Sequence, residues 1–408
     1  MTAPFQRKEG AGISSIGDGG HMRGERFFRT GHRPRRSTTT RWLVRAGCSV
    51  LLLTATVGPG RASAASADAP VTCGSVVTAS VTLTGDLTCP GDALIVGADN
   101  VTIDLAGHTL RGAGTGTGVQ VSPQGTAWTG TVIRDGRIEG FATSVGDDAL
   151  TPHITVGLRD MTIAGGPVKL RGGAWPELSI SGSSLRRCEV DAVDARQVRL
   201  TIDGCTLHRV SARSTYTTLT SSRVISGGLS FNENNAGLVT GNVFDNAPIS
   251  ADNNSWNFVL RDNVFKNADI AVRAGWAPGT LVEDNTFKNN SIGVYGDRSD
   301  ATIARNRFIG NRTAGIYVRN STSSTSSFID NVFKGNGRDP SGLTDEAGHP
   351  VRGAIHIGRG SSPITLTGNV GKHNAGYFVW ITPPAGVIDG GGNRGRPCGP
   401  QPLPLICH

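Results

Sequence analysis

Five side chains in the later part of the chain are of types that together can move a proton to or from a carbon acid. They are Arg273, Tyr295, Tyr317, Arg319 and His356. An arginine guanidinium binds a carboxylate through parallel hydrogen bonds, and a nearby tyrosine or histidine can act as general base or acid. The set suits abstraction of the proton next to a uronate carboxylate, with arginine stabilising the negative charge that develops. Elimination then gives lysis, and reprotonation from the opposite face gives epimerisation.

A second group of side chains could hold the rest of an extended, acidic sugar polymer. Basic groups bind carboxylates, and the apolar faces of aromatic rings can stack on sugar rings. We assign this substrate-binding role to Lys169, Arg171, Arg213, Asp252, Phe378 and Trp380.

Aspartates near position 150 support two alternatives. The motif Gly146-Asp147-Asp148 resembles the paired carboxylates of polygalacturonase-type hydrolases, but the Gly-His-Gly motif of that group is missing. Oxygen ligands from Asp147, Asp148, Asp191 and Asp194 could also bind Ca²⁺, although no Asp-x-Asp-x-Asp spacing occurs among them. Calcium is therefore kept as a candidate cofactor, and no residue is assigned as a metal ligand.

These side chains are expected to be positioned by a repeat, which is clearest in the second half of the chain. The unit apolar-x-Asp/Arg-Asn-x-Phe recurs, with Asn markers at 242, 263, 285, 306, 331 and 369. A weaker form extends upstream to His108 and gives about twelve coils. A period near 22 residues is typical of stacked coils, whose equivalent residues lie about 4.8 Å apart. We therefore predict an all-β, single-stranded right-handed parallel β-helix, with an asparagine ladder at a turn and an interior column formed by Phe244, Phe265, Phe287, Phe308 and Phe333.

The strand after each asparagine turn is the expected place of the site, because its side chains alternate between core and solvent. Taking residues such as Ile270 and Ile292 as inward gives two outward rows. The first row includes Tyr317, His356 and Phe378, and the second includes Arg273, Tyr295, Arg319 and Trp380. An insertion at 337–353 precedes the strand with His356 and is expected to wall the groove. A one-residue slip would exchange the two faces of a strand.

The opening of the repeat carries three distinctive stretches. Cys73-Gly74 is followed by Leu87-Thr-Cys-Pro-Gly-Asp, then by Val101-Thr-Ile-Asp-Leu-Ala-Gly-His-Thr-Leu, and then by Ile133-Arg-Asp-Gly-Arg-Ile-Glu-Gly-Phe. They resemble the opening coils of pectate-lyase-like right-handed parallel β-helix proteins, and the resemblance covers roughly residues 71–395. Members of that group include polysaccharide lyases, uronan epimerases, glycosidases and proteins of no known activity, so the resemblance implies the fold more specifically than the activity.

Positive charge is confined to the start of the chain. Residues 1–64 hold eleven Lys/Arg and three Asp/Glu, and the remainder holds 29 of each sign, so these residues account for the net charge of +8. Global charge therefore gives no reason to expect nucleic acid as a partner. An Arg-rich segment, an apolar run at 46–57 and small residues at 62–67 are typical of an export signal. The run is shorter than the roughly 20 residues that cross a bilayer, so we expect a secreted protein with no membrane span.

Six cysteines follow the predicted cleavage region, at 73, 89, 188, 205, 398 and 407. An even number in an exported chain indicates disulfides. Pairs 73–89 and 398–407 would close the two ends, and a 188–205 bridge depends on register. We divide the chain into an export leader at 1–67, an N-terminal cap at 68–100, the β-helix at 101–390 and a C-terminal tail or cap at 391–408. Because both ends are expected to be capped, we expect a monomer.

The sequence favours an exported polysaccharide lyase or epimerase that acts on a uronate-containing polymer. Three other readings stay open. They are a non-catalytic carbohydrate-binding or surface-adhesion β-helix, a glycoside hydrolase, and a small-molecule enzyme on the same fold. Ultraviolet absorbance of unsaturated uronate products would separate a lyase from the others.

Overall fold

The computed structural model describes residues 70–147, 153–170, 177–186, 189–192, 198–213, 215–233, 236–252, 255, 257–275, 277–298, 300–321 and 326–400. The predicted export leader lies outside the described residues. So do Asp148, Arg171, Cys188, Asp194 and Cys407.

The described chain coils into three parallel sheets, in which each strand pairs with its equivalents in the preceding and following turns. About thirteen turns result, and the predicted right-handed parallel β-helix is confirmed. The first sheet contains Ser75–Val77, Leu94–Val96, Thr117–Ser122, Thr143–Asp147, Val168–Leu170, Glu189–Ala192, Ile249–Asp252, Ile270–Gly275, Ile292–Asp297, Ala314–Asn320, Gly353–Ile357, Tyr377–Ile381 and Cys398–Gly399. The second contains Val81–Thr82, Thr102–Asp104, Glu177–Ser181, Val198–Asp203, Thr215–Thr220, Ala236–Thr240, Phe258–Arg261, Thr280–Glu283, Ala301–Ala304, Ser327–Ile329, Ile364–Thr367 and Val387–Asp389. The third contains Leu87–Cys89, Thr109–Gly112, Ser184–Arg186, Val243–Asp245, Val264–Lys266, Thr286–Lys288, Arg307–Ile309, Val332–Lys334 and Val370–Lys372.

Four longer strands connect the sheets. Thr131–Glu139 and Thr155–Ala164 run from the second sheet into the third, and Thr206–Arg213 and Arg223–Asn232 run from the third into the first. A short 3₁₀ turn, Pro123–Gly125, is the one helical element among the described residues. No helix in the described part of the chain is long and apolar enough to cross a membrane.

The predicted phenylalanine column fills the interior beside the third sheet. Neighbouring rings from Phe244 to Phe333 are stacked, with centroids 4.7, 4.9, 4.8 and 4.8 Å apart. Adjacent strands in a sheet are about 4.8 Å apart, so residues at one register position stack ring on ring without any change in backbone geometry. The column is confirmed, and each of its five rings is fully buried.

The predicted asparagine ladder is also confirmed. At its centre, the Asn306 amide donates to the Val282 carbonyl at 2.8 Å and to Asn331 Oδ1 at 3.0 Å. Asn306 Oδ1 accepts from the backbone and side chain of Asn285 at 2.9 and 3.1 Å. A second ladder, which the sequence did not reveal, is formed by Asn290, Asn311, Asn336 and Asn374. Each ladder satisfies buried backbone groups turn by turn.

Asn306→Ala is expected to lower the free energy of unfolding by about 1–3 kcal/mol, because it leaves buried backbone and amide groups without partners. Urea denaturation followed by circular dichroism would measure the change. Lys288→Ala, at an exposed position of a nearby turn, is the control and is expected to stay within about 0.5 kcal/mol. A loss for Asn306→Ala no larger than that of the control would show that the ladder contributes nothing to stability.

The cysteines partly follow the prediction. Cys73 and Cys89 form the expected disulfide. Cys398 is disulfide-bonded as well. Cys205 is a free, buried cysteine whose thiol donates to the Asp203 carbonyl at 3.1 Å, so the bridge considered between 188 and 205 is not formed.

Candidate functional site

One outward row on the first sheet brings predicted site residues from successive turns together. Backbone pairing aligns Arg273 with Tyr295, Tyr295 with Tyr317, Tyr317 with His356, and His356 with Trp380. The prediction that divided these residues between two rows is wrong. The correct register places them in a single line along the axis of the solenoid.

The division fails because inward residues that are not equivalent were matched between successive turns. Val294, rather than Ile292, pairs with Ile316, so Tyr295 and Tyr317 were placed in different rows although they are paired. Ile292 is not part of the main core, since it packs in a separate apolar cluster with Tyr295 and Tyr317.

The assignment of Phe378 is corrected by a break in the alternation of faces, because Phe378 and the next residue, Val379, are both buried. Phe378 is 1% exposed, and its ring lies edge-on to Phe333 with centroids 6.3 Å apart. Phe378 is therefore an interior residue that extends the phenylalanine column, and its predicted substrate-binding role is wrong.

A cleft of about 380 Å³ lies over this row, and the insertion at 337–353 supplies one of its walls. The side chains that line it are Ile270, Arg273, Tyr295, Tyr317, Arg319, Leu343, Thr344, Asp345 and Glu346. The guanidinium carbon of Arg273 lies 4.7 Å from the centre of the Tyr295 ring, which is within cation–π distance. Tyr295 and Tyr317 meet edge to face with centroids 5.4 Å apart.

The two arginines of the cleft differ in their electrostatic partners. Arg319 Nε donates to Glu346 Oε1 at 2.5 Å, and its Nη1 lies 3.5 Å from Asp297 Oδ2. Arg319 also shares a side-chain hydrogen bond with Tyr295, and these partners raise its pKa. Arg273 is exposed and has no carboxylate partner among the described residues. It is therefore the cleft cation that is available to an incoming anion.

The tyrosines of the cleft rest in the protonated form. Burial raises the pKa of both Tyr295 and Tyr317, and the negative charge of Glu346 raises that of Tyr317 further. Tyr317 is only 3% exposed. The phenols are therefore in the protonated form, which can give a proton only to a strongly basic acceptor such as a leaving alkoxide or a carbanion.

His356 lies beneath the insertion rather than in the cleft. It is fully buried, with its ring edge-on to Tyr317 at 5.4 Å and stacked near Trp380 at 6.2 Å. Burial lowers the pKa of His356, which favours the neutral ring. Its Nε2 donates to Asp345 Oδ2 at 3.1 Å, and its buried Nδ1 has no hydrogen-bond partner among the described residues. Because a carboxylate only accepts, this contact places the proton on Nε2.

Asp345, which the sequence did not single out, fixes the insertion onto the sheet. Its Oδ1 accepts from the backbone amides of Ala347 and His349 at 3.0 and 2.9 Å, and its Oδ2 accepts from His356 and Thr382. Burial alone raises the pKa of Asp345, but these hydrogen bonds outweigh burial and lower it to about 2. The sequence signal was the insertion itself, which carries two adjacent carboxylates, Asp345 and Glu346.

Stability is expected to fall as the pH drops from about 7 to 5, because unfolded His356 gains a proton near pH 6.5 while the folded, neutral ring resists it. A further loss is expected between about pH 4 and 2, where Asp345 becomes protonated in the unfolded chain first. Thermal melting across this range would measure both effects. His356→Gln should flatten the upper part of the profile, and His373→Asn, at an exposed histidine, should not. An unchanged slope in His356→Gln would contradict the account.

Two further predicted binding residues whose side chains are described, Lys169 and Arg213, do not converge on the cleft. Lys169 is half-buried in the same row, five turns before Arg273, which corresponds to about 24 Å. Arg213 is exposed and pairs with Glu233 at 3.3 Å. The backbone of Asp252 aligns with Asn232, and its side chain lies outside the described part of the structure, as does Arg171.

Trp380 lies on the far side of the insertion. Its ring centroid is 5.1 Å from that of His349 and 4.8 Å from that of Tyr377.

As for a metal, no group of three or more His, Cys, Asp or Glu side chains within the described ranges is arranged to hold one.

One family model matches part of the chain. Residues 192–371 match the family model described as the right handed beta helix region. Similar solved structures include the A-module of mannuronan C-5 epimerase AlgE4 of Azotobacter vinelandii, which is 14% identical with a TM-score of 0.35 over 66% of this chain and 90% of that one. The AlgE6 A-module of the same organism is 12% identical, with a TM-score of 0.36 over 80% and 92%. Tailspike protein 3 of bacteriophage CBA120 is 14% identical, with a TM-score of 0.35 over 79% and 58%.

No curated protein matches the chain significantly. The match of the family model and the parallel pairing of successive turns lead to the same conclusion. This chain is a right-handed parallel β-helix protein, similar over residues 192–371 to the right-handed β-helix family.

Proposed function

We propose that the protein is an exported, carbohydrate-active enzyme that removes the proton next to the carboxylate of a uronate residue in an acidic polysaccharide. One observation carries the proposal. Exposed Arg273, which has no carboxylate partner among the described residues, shares a single cleft with protonated Tyr317 and the partly exposed Glu346 carboxylate. The cleft thus offers an anion-binding group, a proton donor and a carboxylate base on neighbouring turns and the insertion.

Each group has a defined part in the proposed reaction. Arg273 binds the uronate carboxylate and neutralises it, which acidifies the adjacent C–H bond. Glu346 accepts that proton. In lysis the released electron pair forms a carbon–carbon double bond, the glycosidic C–O bond breaks, and Tyr317 gives its proton to the leaving oxygen. In epimerisation Tyr317 instead protonates the same carbon from the opposite face, and no glycosidic bond breaks.

The other predicted catalytic residues act through these three. Arg319 holds Glu346 and Tyr295 by hydrogen bonds, so it sets the position of the base. Tyr295 supports Arg273 through its ring face. His356 packs behind Tyr317 and joins it to Asp345 of the insertion. We therefore treat Tyr295, Arg319 and His356 as positioning residues.

A second candidate function is a carbohydrate-binding site in which no proton moves. The near-complete burial of Tyr317 and His356 favours it, because buried rings can serve as packing beneath a binding surface. Under this reading Arg273 still binds a uronate carboxylate, and nothing is released.

A screen of pectate, alginate, glycosaminoglycans and xanthan-like polymers tests the proposal, with ultraviolet absorbance of unsaturated uronate and direct binding as readouts. We expect Arg273→Ala to weaken binding of the active polymer by about 10- to 100-fold, which corresponds to the loss of one charge-assisted contact. Arg199→Ala, at an exposed arginine of the second sheet, is the matched control and should bind normally. Binding without turnover of any polymer would favour the second candidate, and equal losses in both variants would remove Arg273 from the site.

A further inference from the structure

From Arg273 onward, the row that carries the site becomes steadily more covered toward the insertion. Ser230 and Arg273 are exposed and Ser250 is half-buried. Tyr295 is 8% exposed, Tyr317 is 3% exposed, and His356 is fully buried. All five residues of the strand Gly353–Ile357 are buried, so both faces of the sheet are covered at this turn. The groove over the first sheet therefore ends at His356.

The insertion at 337–353 forms this cover, and buried contacts and hydrogen bonds hold it to the sheet at several points. Asp345 accepts hydrogen bonds from His356 and Thr382, and Val351 is completely buried. Within the insertion, Thr344 and Pro350 form an isolated antiparallel bridge, and the Val351 amide donates to the Leu343 carbonyl at 2.8 Å. These hydrogen bonds and the burial of Val351 indicate that the insertion holds a fixed position on the sheet.

The two sides of this wall differ, with packed aromatic rings on the far side and small side chains on the near side. On the far side, Trp380 packs against His349 of the insertion and against Tyr377. On the near side, the cleft is followed upstream by Ser250, Ser230 and Ser211, which occupy the same row in successive turns. Small side chains leave room above the sheet, so the groove stays open in the upstream direction.

From this asymmetry we infer that the cleft receives the end of an acidic polysaccharide chain rather than an internal segment. The terminal uronate lies against Thr344 and Glu346 of the wall with its carboxylate on Arg273. The rest of the chain leaves over Ser250 and Ser230. Trp380, on the far side of the wall, is not on this path. The identity of the polymer rests on the proposed function, whereas the end-on mode rests on the wall alone.

Binding stoichiometry tests this inference without requiring turnover. Short and long size fractions of each of the four polymers named above would be titrated calorimetrically into the full chain. We expect one protein bound per polymer chain in both fractions, because the two ends of a polysaccharide differ chemically, and at least tenfold weaker binding once both ends carry a bulky covalent label. A number of bound proteins that grows in proportion to polymer length would overturn the inference, and so would unchanged affinity for the blocked polymer or a failure of all four polymers to bind.

Two substitutions on opposite sides of the wall sharpen the test. Ser250→Trp places a bulky ring on the exit path and should weaken binding of the long fraction at least tenfold. Tyr377→Ala, beyond the wall, should leave that binding unchanged, and equal effects of the two would contradict the inference. End-on binding without turnover would refute the proposed chemistry and keep the inference. Turnover with many proteins bound per polymer would support the proposed chemistry and refute end-on binding.

Discussion

Tyr317→Phe is expected to lower kcat on the acidic polysaccharide by about 100- to 10,000-fold and to change the binding constant by only a few fold. The substitution removes the proton donor, and general acid catalysis by one side chain contributes about this much. The ring itself is kept, so its edge-to-face contacts with Tyr295 and His356 are preserved. Initial rates at saturating and limiting polymer would separate kcat from KM.

The control for this variant is Tyr216→Phe, at a 42% exposed tyrosine of the second sheet. It removes a hydroxyl of the same kind far from the cleft and should leave both constants unchanged. If Tyr317→Phe retained full kcat, its hydroxyl would play no part in proton transfer, and the tyrosine would serve only as packing beneath Arg273 and the insertion.

Phe287→Ala is expected to cost about 3–5 kcal/mol of unfolding free energy, the range found when a large buried aromatic side chain is removed. Phe287 is fully buried and stacked between Phe265 and Phe308 at 4.9 and 4.8 Å, so the cavity would open in the middle of the column. Denaturant-induced unfolding would measure the loss. Hydrogen exchange would show whether it is centred on the neighbouring turns, as expected for a solenoid whose turns contact mainly their neighbours.

Ile225→Ala provides the comparison, because Ile225 is apolar and 40% exposed. Its cost should be within about 0.5 kcal/mol. A loss below about 1 kcal/mol for Phe287→Ala would mean that the column can close around the gap, and that the repeat depends on its backbone ladders more than on its core.

The fold could be predicted from the sequence because its determinants repeat. Asn306 and Phe308 recur in equivalent positions turn after turn, and each recurrence is a separate piece of evidence for the same register. The alignment of Arg273 with Tyr295 follows from the same period of 22 residues. What a period cannot give is a local change in the pleat. Phe378 and Val379 are consecutive and both buried, and this break in the alternation of faces misplaced Phe378. Tyr317 was put in the wrong row for a different reason, because Ile316 pairs with Val294 and not with Ile292.

The contacts of the insertion were harder to predict from the sequence than the register of the strands, because they do not repeat from turn to turn. The sequence predicted that it would wall the groove, and it does. The carboxylate that anchors it, Asp345, meets His356 and Thr382 from positions 11 and 37 residues away, and no spacing rule connects them. Glu346 could be found as the cleft carboxylate only once the insertion had been placed above Tyr317.

The most direct test of the proposed chemistry is the fate of the hydrogen next to the uronate carboxylate. Nuclear magnetic resonance of the polymer, incubated with the protein in deuterated water, would follow it. We predict that wild-type protein replaces this hydrogen with deuterium, or removes it with formation of a double bond, and that Tyr317→Phe does neither at a comparable rate. A polymer that binds in the cleft and keeps this hydrogen fully intact would contradict the proposal.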